Sequence, residues 1–371
     1  MADWLQLVVG SLLAVNAALV LAVGLLWLAE HGLTRIGLDR DWALRRRVSA
    51  TAWVLALGLP FALTALPGNA WNATDVVVGL FLNGNLSNLS LTATEFQSIL
   101  AFRDGLPRAL VAPASPAWQA VAAILLAAAL MRALHVMRAA WCLRRLIHAS
   151  MPLRETKSVR IAVSGDCPVP FAARGLRRNH VVLPAGLVAD PEAFRIALAH
   201  ELQHIRQGDP IREVLVAALS PLFALNPAFW NLSRHMRRLR EHHCDAACVA
   251  RPTMDARDYS LCLLDVARRA RQGNPAPGAF TVALLGRKQL TGRATRSQLG
   301  HRIELIAKGP SRRAGRLTTL SLLAVFAVTL AGTTWTLRPP ADWSQERLML
   351  SSVINLERLE TINTLSQRPL R

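Results

Sequence analysis

The sequence predicts an α-helical polytopic membrane protein with four membrane-spanning helices and one large polar domain between the third and the fourth. Of its 371 residues, 52% are hydrophobic and only 18% are charged, which is too apolar for most soluble enzymes. Uncharged stretches near the roughly 20 residues that a helix needs to cross a bilayer also recur along the chain. These stretches are residues 7–29, 49–70, 116–131 and 317–337.

The first stretch has an alternative interpretation as a secretory signal peptide. The residues before it carry no basic charge, and the apolar run continues through any cleavage site. We therefore expect a retained membrane span.

Arginines determine the predicted orientation, because basic residues near span ends stay on the cytoplasmic side. They cluster after the first and third stretches and before the fourth, whereas the loop after the second holds only Arg103 and Arg108. The prediction is a membrane protein with both termini outside the cytoplasm. Its predicted parts are a three-helix region (1–137) with an external loop (71–117), a cytoplasmic domain (138–316), a fourth span (317–337) and an external tail (338–371).

The tail contains an amphipathic stretch, residues 344–365, which predicts a helix resting on the membrane surface.

The net charge of the chain and the spacing of its cysteines indicate which partners and which disulfides to expect. The net charge of +19 suits an anionic membrane surface or nucleic acid. The sequence contains no zinc-finger, RNP or basic leucine-zipper motif, so no direct nucleic-acid binding is expected. The lipid bilayer is the predicted partner. Five cysteines without a CxxC pair do not indicate a disulfide framework.

A helix with an HExxH pattern carries the chemistry. The stretch from Asn179 predicts a strand, a turn and a helix that begins after Asp190. His200 and His204 lie one turn apart on this helix, the spacing that Zn²⁺ requires of two nitrogen ligands. Glu201 is placed to act as general base. The alternative is a pair of surface histidines on a solvated helix.

A second helix, predicted over residues 234–250, offers further ligands. Glu241 and Asp245 fall on one face, the first as a third zinc ligand and the second as acceptor of a hydrogen bond from a ligand histidine. A closed structural site is the alternative, because other zinc-binding side chains lie close by. These are His242, His243, Cys244 and Cys248.

The segments HELQHIRQGD and NPAFWNLSRHMRRLREHHCD, between the third and fourth predicted spans, resemble the bacterial β-lactam sensor-transducer membrane metallopeptidases, peptidase family M56. The resemblance covers roughly residues 172–245. It implies a zincin-like (gluzincin) α+β domain in which Zn²⁺ is bound by His200, His204 and Glu241, with Glu201 as base and Asp245 in support. The penicillin-binding domain of the β-lactam-sensing members has no counterpart in residues 338–371, so β-lactam sensing is not carried over.

The uncharged stretch 214–230 lies between the two candidate metal helices. If this stretch crossed the membrane as a fifth span, His204 and Glu241 would lie on opposite sides of the membrane and could not bind the same metal ion. A helical hairpin that dips into the inner leaflet would keep them together.

Three functions from different classes follow. The first is a regulatory peptidase that cuts a cytoplasmic or membrane-adjacent protein, with a transcriptional repressor as one candidate substrate. The second is a quality-control protease similar to the CaaX-protease and heat-shock membrane protease group. The third is a non-catalytic receptor or scaffold, against which the intact Glu201 argues.

Overall fold

The computed structural model describes residues 2–64, 73–83, 92–272, 293–309, 314–335 and 345–366. Its helices are α1 (Ala2–Arg35), α2 (Trp42–Thr64), α3 (Ala73–Leu82), α4 (Ala93–Val111), α5 (Pro116–Ala149), α6 (Pro191–Arg206), α7 (Asp209–Leu219), α8 (Pro227–Val249), α9 (Ala256–Gln272), α10 (Arg293–Ala307), α11 (Arg316–Trp335) and α12 (Gln345–Ser366). Its strands are β1 (Met151–Glu155), β2 (Val159–Ser164), β3 (Phe171–Arg174) and β4 (Asn179–Pro184). The chain divides into two compact units, one of residues 30–47 and 126–316 and the other of the remaining chain.

Three of the described helices are long and apolar enough to cross a membrane: Trp4–Arg35, Pro116–Ala149 and Arg316–Trp335. They contain most or all of the first, third and fourth predicted spans. The second predicted span forms helix α2 as far as Thr64, and its residues 65–70 lie outside the described chain. The total of four spans therefore stays a prediction, as does the side of the membrane on which each terminus lies.

The predicted amphipathic helix forms as α12, and protein covers part of its apolar face. Leu350 and Ile354 are buried in a cluster with residues of α3 and α4. Glu357 accepts hydrogen bonds from the backbone N–H groups of Ala93 and Thr94 at the start of α4. The sequence had assigned this face to the membrane surface, but packing of α12 on two neighbouring helices buries part of it.

The sheet of the second unit has the strand order β1-β2-β4-β3. Strand β4 pairs in parallel with β2 and antiparallel with β3. Successive side chains of a strand point to opposite faces, so Val181 and Leu183 join the core beneath α6 while Val182 packs near Ile147 of α5. The strand predicted after Asn179 is thus confirmed as a buried strand that supports α6.

Helix α6 begins where the sequence predicts. The Asp190 side chain accepts hydrogen bonds from the backbone N–H groups of Glu192 and Ala193, and Pro191 occupies the first helical position. The helix ends at Arg206. Gly208 then adopts a φ of +72°, a left-handed conformation that glycine takes without a steric cost and that turns the chain into α7.

Helices α7 and α8 form a hairpin that returns the chain to α6. The predicted helix 234–250 begins earlier, at Pro227, because the buried Asn226 caps it by accepting from two backbone N–H groups. The stretch 214–230 therefore contains a turn between two helices.

Candidate metal centre

Two histidines of α6 face each other one turn apart. The Nε2 atoms of His200 and His204 are 3.1 Å apart, and the rings meet edge to face. Only 11% and 13% of the two side chains is exposed. Two nitrogens bound to one tetrahedral Zn²⁺ lie roughly 3.3 Å apart. The pair is therefore spaced as a zinc chelate requires.

The other nitrogen of His200 is held by a hydroxyl group. Its Nδ1 lies 2.7 Å from the Tyr259 hydroxyl, which donates its proton to Oδ1 of Asp245 over 2.7 Å. Since a hydroxyl has one proton, the Tyr259 oxygen accepts a hydrogen bond from Nδ1–H, and the Nε2 lone pair of His200 stays free. The predicted direct bond from a ligand histidine to Asp245 does not form with His200, because Oδ1 of Asp245 is 3.7 Å from Nδ1 and the Tyr259 hydroxyl lies between them. No sequence motif links Tyr259 to a histidine 59 residues away.

His204 is oriented by Asp209, the first residue of α7. Its Nδ1 lies 2.9 Å from Oδ2 of Asp209, which is 4% exposed. Burial alone would raise the pKa of the Asp209 carboxyl. The hydrogen bond from His204 and the positive charges of Arg240 and Arg46 outweigh burial, so this pKa lies below its usual value. An ionised acceptor keeps the proton on Nδ1 and leaves Nε2 for a metal. Asp209 lies in the HELQHIRQGD segment, but its distance of five residues from His204 along the chain does not by itself indicate this bond.

The predicted third ligand, Glu241 of α8, faces both imidazoles. Its carboxylate oxygens lie 3.8 Å from Nε2 of His200 and 3.6 Å from Nε2 of His204. Arg302 of α10 pairs with Glu241 at 3.1 Å and with Asp245 at 2.7 Å. Burial raises the pKa of Glu241, but Arg302 and the imidazoles outweigh it and lower the pKa to about 2. Glu241 is therefore ionised at neutral pH, as a ligand must be.

A second candidate for the third ligand lies on the same helix. The ligand atoms of His200, His204 and Cys244 fall within 4.8 Å of one another, so these side chains are able to hold a metal ion. However, Cys244 approaches His200 from the Nδ1 side, with Sγ 3.5 Å from that nitrogen and donating to the His200 carbonyl oxygen. Burial also raises the pKa of this thiol. Glu241 is better placed, because it faces both Nε2 atoms.

The other members of the predicted His/Cys alternative have different surroundings. His242 stacks against Trp42 at a ring separation of 4.7 Å. The Sγ of Cys248 is directed at the carbonyl oxygen of Ala199. His243 is half-buried, and its Nδ1 has no hydrogen-bond partner in the described chain. Within the described residues, none of these three belongs to the ligand group around His200.

The predicted general base, Glu201, is buried beside the imidazoles, with 7% of its surface exposed. Its carboxyl group has no hydrogen-bond partner among the residues that the structure describes. Burial raises its pKa, although His200 and His204 oppose the change. A carboxyl group with a raised pKa exchanges a proton more readily near neutral pH.

The donor set fits Zn²⁺, because two imidazole nitrogens and a carboxylate from two helices leave a fourth position open. Such a site beside a buried carboxyl group defines the class of metallopeptidases. The family model of the BlaR1 peptidase M56 matches residues 109–295, which include all five predicted site residues. The chain belongs to this family of zinc metallopeptidases and is a membrane-associated metallopeptidase. None of the curated proteins matches it.

Proposed function

We propose that this protein is a zinc endopeptidase of the bacterial inner membrane that cuts a cytoplasmic or membrane-adjacent protein in response to a signal. The observation that carries the proposal is the site around His200 and His204. Their Nε2 atoms converge, both Nδ1 atoms are fixed by hydrogen bonds, and the unbonded carboxyl of Glu201 lies beside them. A structural zinc site closes with four protein ligands and needs no such carboxyl group.

In this proposal Zn²⁺ is held by His200, His204 and Glu241. When bound, the ion polarises the scissile carbonyl and lowers the pKa of water. Tyr259 and Asp209 keep the imidazoles in the tautomer whose Nε2 is free. The chain thus supplies three ligands that are oriented before any substrate arrives.

Glu201 moves the proton. Its carboxylate takes a proton from the attacking water as the oxygen adds to the scissile carbonyl carbon. It then passes that proton to the leaving amine as the C–N bond breaks, and the carboxylate is regenerated.

The buried Glu201 also separates an enzyme from a receptor. A carboxyl group beside two converging imidazoles is suited to proton transfer, which a receptor or scaffold does not perform. We therefore favour a regulatory peptidase, with a transcriptional repressor as one candidate substrate, and place residues 138–316 in the cytoplasm. Quality control of many membrane proteins is the second candidate, and a silent receptor is the third.

A comparison of the cleaved proteins in two strains distinguishes these functions. One strain carries the wild-type protein and the other carries the variant Glu201→Gln. Glutamine matches glutamate in size but cannot accept the proton, so cleavage should fall by roughly 10² to 10⁴. Mass spectrometry of new protein termini should find a few that the variant lacks. Many lost termini would indicate quality control. Identical termini in both strains, with Zn²⁺ bound to the variant, would contradict the peptidase.

A further inference from the structure

The hairpin of α7 and α8 presents a surface of apolar side chains. Every exposed residue between positions 211 and 225 is apolar, namely Ile211, Val214, Leu215, Ala218, Leu222 and Leu225. The first four follow the i, i+3, i+4, i+7 spacing and so form one face of α7. Clustered exposed side chains of this kind mark a contact surface rather than a scatter of single residues.

Apart from Arg212, whose side chain is 40% exposed and lies 3.6 Å from Asp209, the polar groups of the same segment are turned inward and bonded. Glu213 pairs with Arg237 and Arg240 of α8. Ser220 is fully buried and donates to a backbone carbonyl of α7. Asn226 accepts from two backbone N–H groups of α8. Because an unbonded polar group is costly in hydrocarbon, this arrangement suits a surface that lipid covers.

The tip of the hairpin is tied to the end of the uncharged stretch of α5. Arg132 of α5 donates from Nε to the Ser220 hydroxyl over 2.9 Å, and its guanidinium lies 4.8 Å from the centre of the Trp230 ring. Arg132 is the first charged residue after the uncharged stretch 116–131 of a candidate span. Arginine and tryptophan at the end of a membrane helix lie at the boundary of hydrocarbon and headgroups. The tip that follows Ser220 therefore lies near that boundary.

Exposed cations border the apolar surface. Arg234 and Arg238 point outward from α8, beyond the hairpin tip. Juxtamembrane arginines attract the anionic headgroups of the cytoplasmic leaflet. An apolar face with a basic border complements an anionic phospholipid surface both in hydrophobicity and in charge.

We propose that the face formed by residues 211–225 is inserted into the phospholipid of the inner leaflet, with Arg132 and Arg234 among the headgroups. Helix α7 begins at Asp209, which holds His204, and its 11 residues span about 16 Å. Insertion of this face thus keeps the candidate metal centre within about the length of α7 from the lipid.

Spin labels on the full-length protein in anionic phospholipid vesicles test the insertion. One label is placed at Leu222→Cys and another, in a separate sample, at Leu225→Cys. Cys142→Ala removes the half-buried cysteine, since the other four are buried. The matched control is Leu261→Cys on α9, because Leu261 is 53% exposed and Leu222 is 54% exposed, but Leu261 shares its exposed face with Asp258.

Oxygen dissolves preferentially in hydrocarbon, whereas a nickel chelate stays in water. The labels at positions 222 and 225 should be relaxed more by oxygen than by the chelate, and the label at 261 should show the reverse. Equal access of the chelate to positions 222 and 261 would place the face in water. Protection of position 222 from both reagents would mean that protein covers it. Either result overturns the insertion, and neither depends on catalysis.

Discussion

Asp209 accepts a hydrogen bond from Nδ1 of His204 over 2.9 Å, and its other oxygen lies 3.7 Å from Arg46 in the second turn of α2. Arg46 also donates two hydrogen bonds to Gln207, the residue that follows α6. Residues 30–47 belong to the same unit as the candidate metal centre. One buried carboxylate therefore connects the start of α2 to a histidine of that centre.

Removing the carboxylate of Asp209 should weaken zinc binding. Without an acceptor for Nδ1, His204 is no longer held in one tautomer, and we expect Asp209→Ala to lose roughly 10- to 100-fold in zinc affinity. Competition with a chelator of known affinity measures the change. Asp258→Ala alters an exposed aspartate of α9 and should match the wild type. Equal affinities of the two variants would show that Asp209 does not orient His204.

The contacts of Arg46 predict a smaller effect of the same kind. Arg46→Gln removes the charge beside Asp209 and the paired bonds to Gln207, so zinc affinity and the midpoint of thermal unfolding should both fall. Arg47→Gln is the matched control, because Arg47 is the exposed neighbour in the same helix. If both variants behaved alike, the connection between α2 and the metal centre would carry no measurable energy.

Tyr259→Phe tests the hydroxyl between His200 and Asp245. The ring keeps its packing, but His200 loses the acceptor for its Nδ1 proton, so zinc affinity should fall at least roughly tenfold. Asp245 keeps its two hydrogen bonds from Arg302, so the variant should still fold. Thermal unfolding in the presence of a chelator checks the fold separately. Unchanged zinc affinity in the folded variant would contradict the role given to this hydroxyl.

The identity of the third ligand can be decided with two substitutions. Glu241→Gln replaces an anionic ligand with a weaker neutral one, so zinc and activity should be lost together. Cys244→Ser should keep about one Zn²⁺ per chain, because its Sγ does not face the Nε2 atoms. Metal analysis of the purified proteins measures both. The opposite result would establish the His/Cys site instead. The double change His200→Ala with His204→Ala should empty either site.

The predicted topology is tested with a reporter that is active only outside the cytoplasm. Fusions after Pro113 or at Arg371 should be active, and fusions after Ser158 or Gly273 inactive, because the arginine clusters keep the large domain inside. Activity after Gly273 would place part of that domain outside and contradict the orientation.

The parts of the site that depend on short spacing could be predicted. The start of α6 at Asp190 and the approach of His200 to His204 follow from helix geometry, in which residues four apart share a face. The position of Glu241 within 4 Å of both imidazoles also matches the prediction, although it required the hairpin to return the chain. The direct bond from a ligand histidine to Asp245 was wrong, because Tyr259 lies between the two groups.

The residue types and their helical spacing indicate which side chains are able to bind metal and move a proton, because those abilities are chemical properties of the residues. The partners of these side chains depend on how distant helices pack. Tyr259, Arg302 and Arg46 come from distant helices, and no local pattern marks them. In a buried site an unpaired charge is costly, so Asp209, Glu241, Asp245 and both imidazoles are paired with whichever groups packing brings within reach. That choice is made by the fold, not by the spacing of residues along the chain.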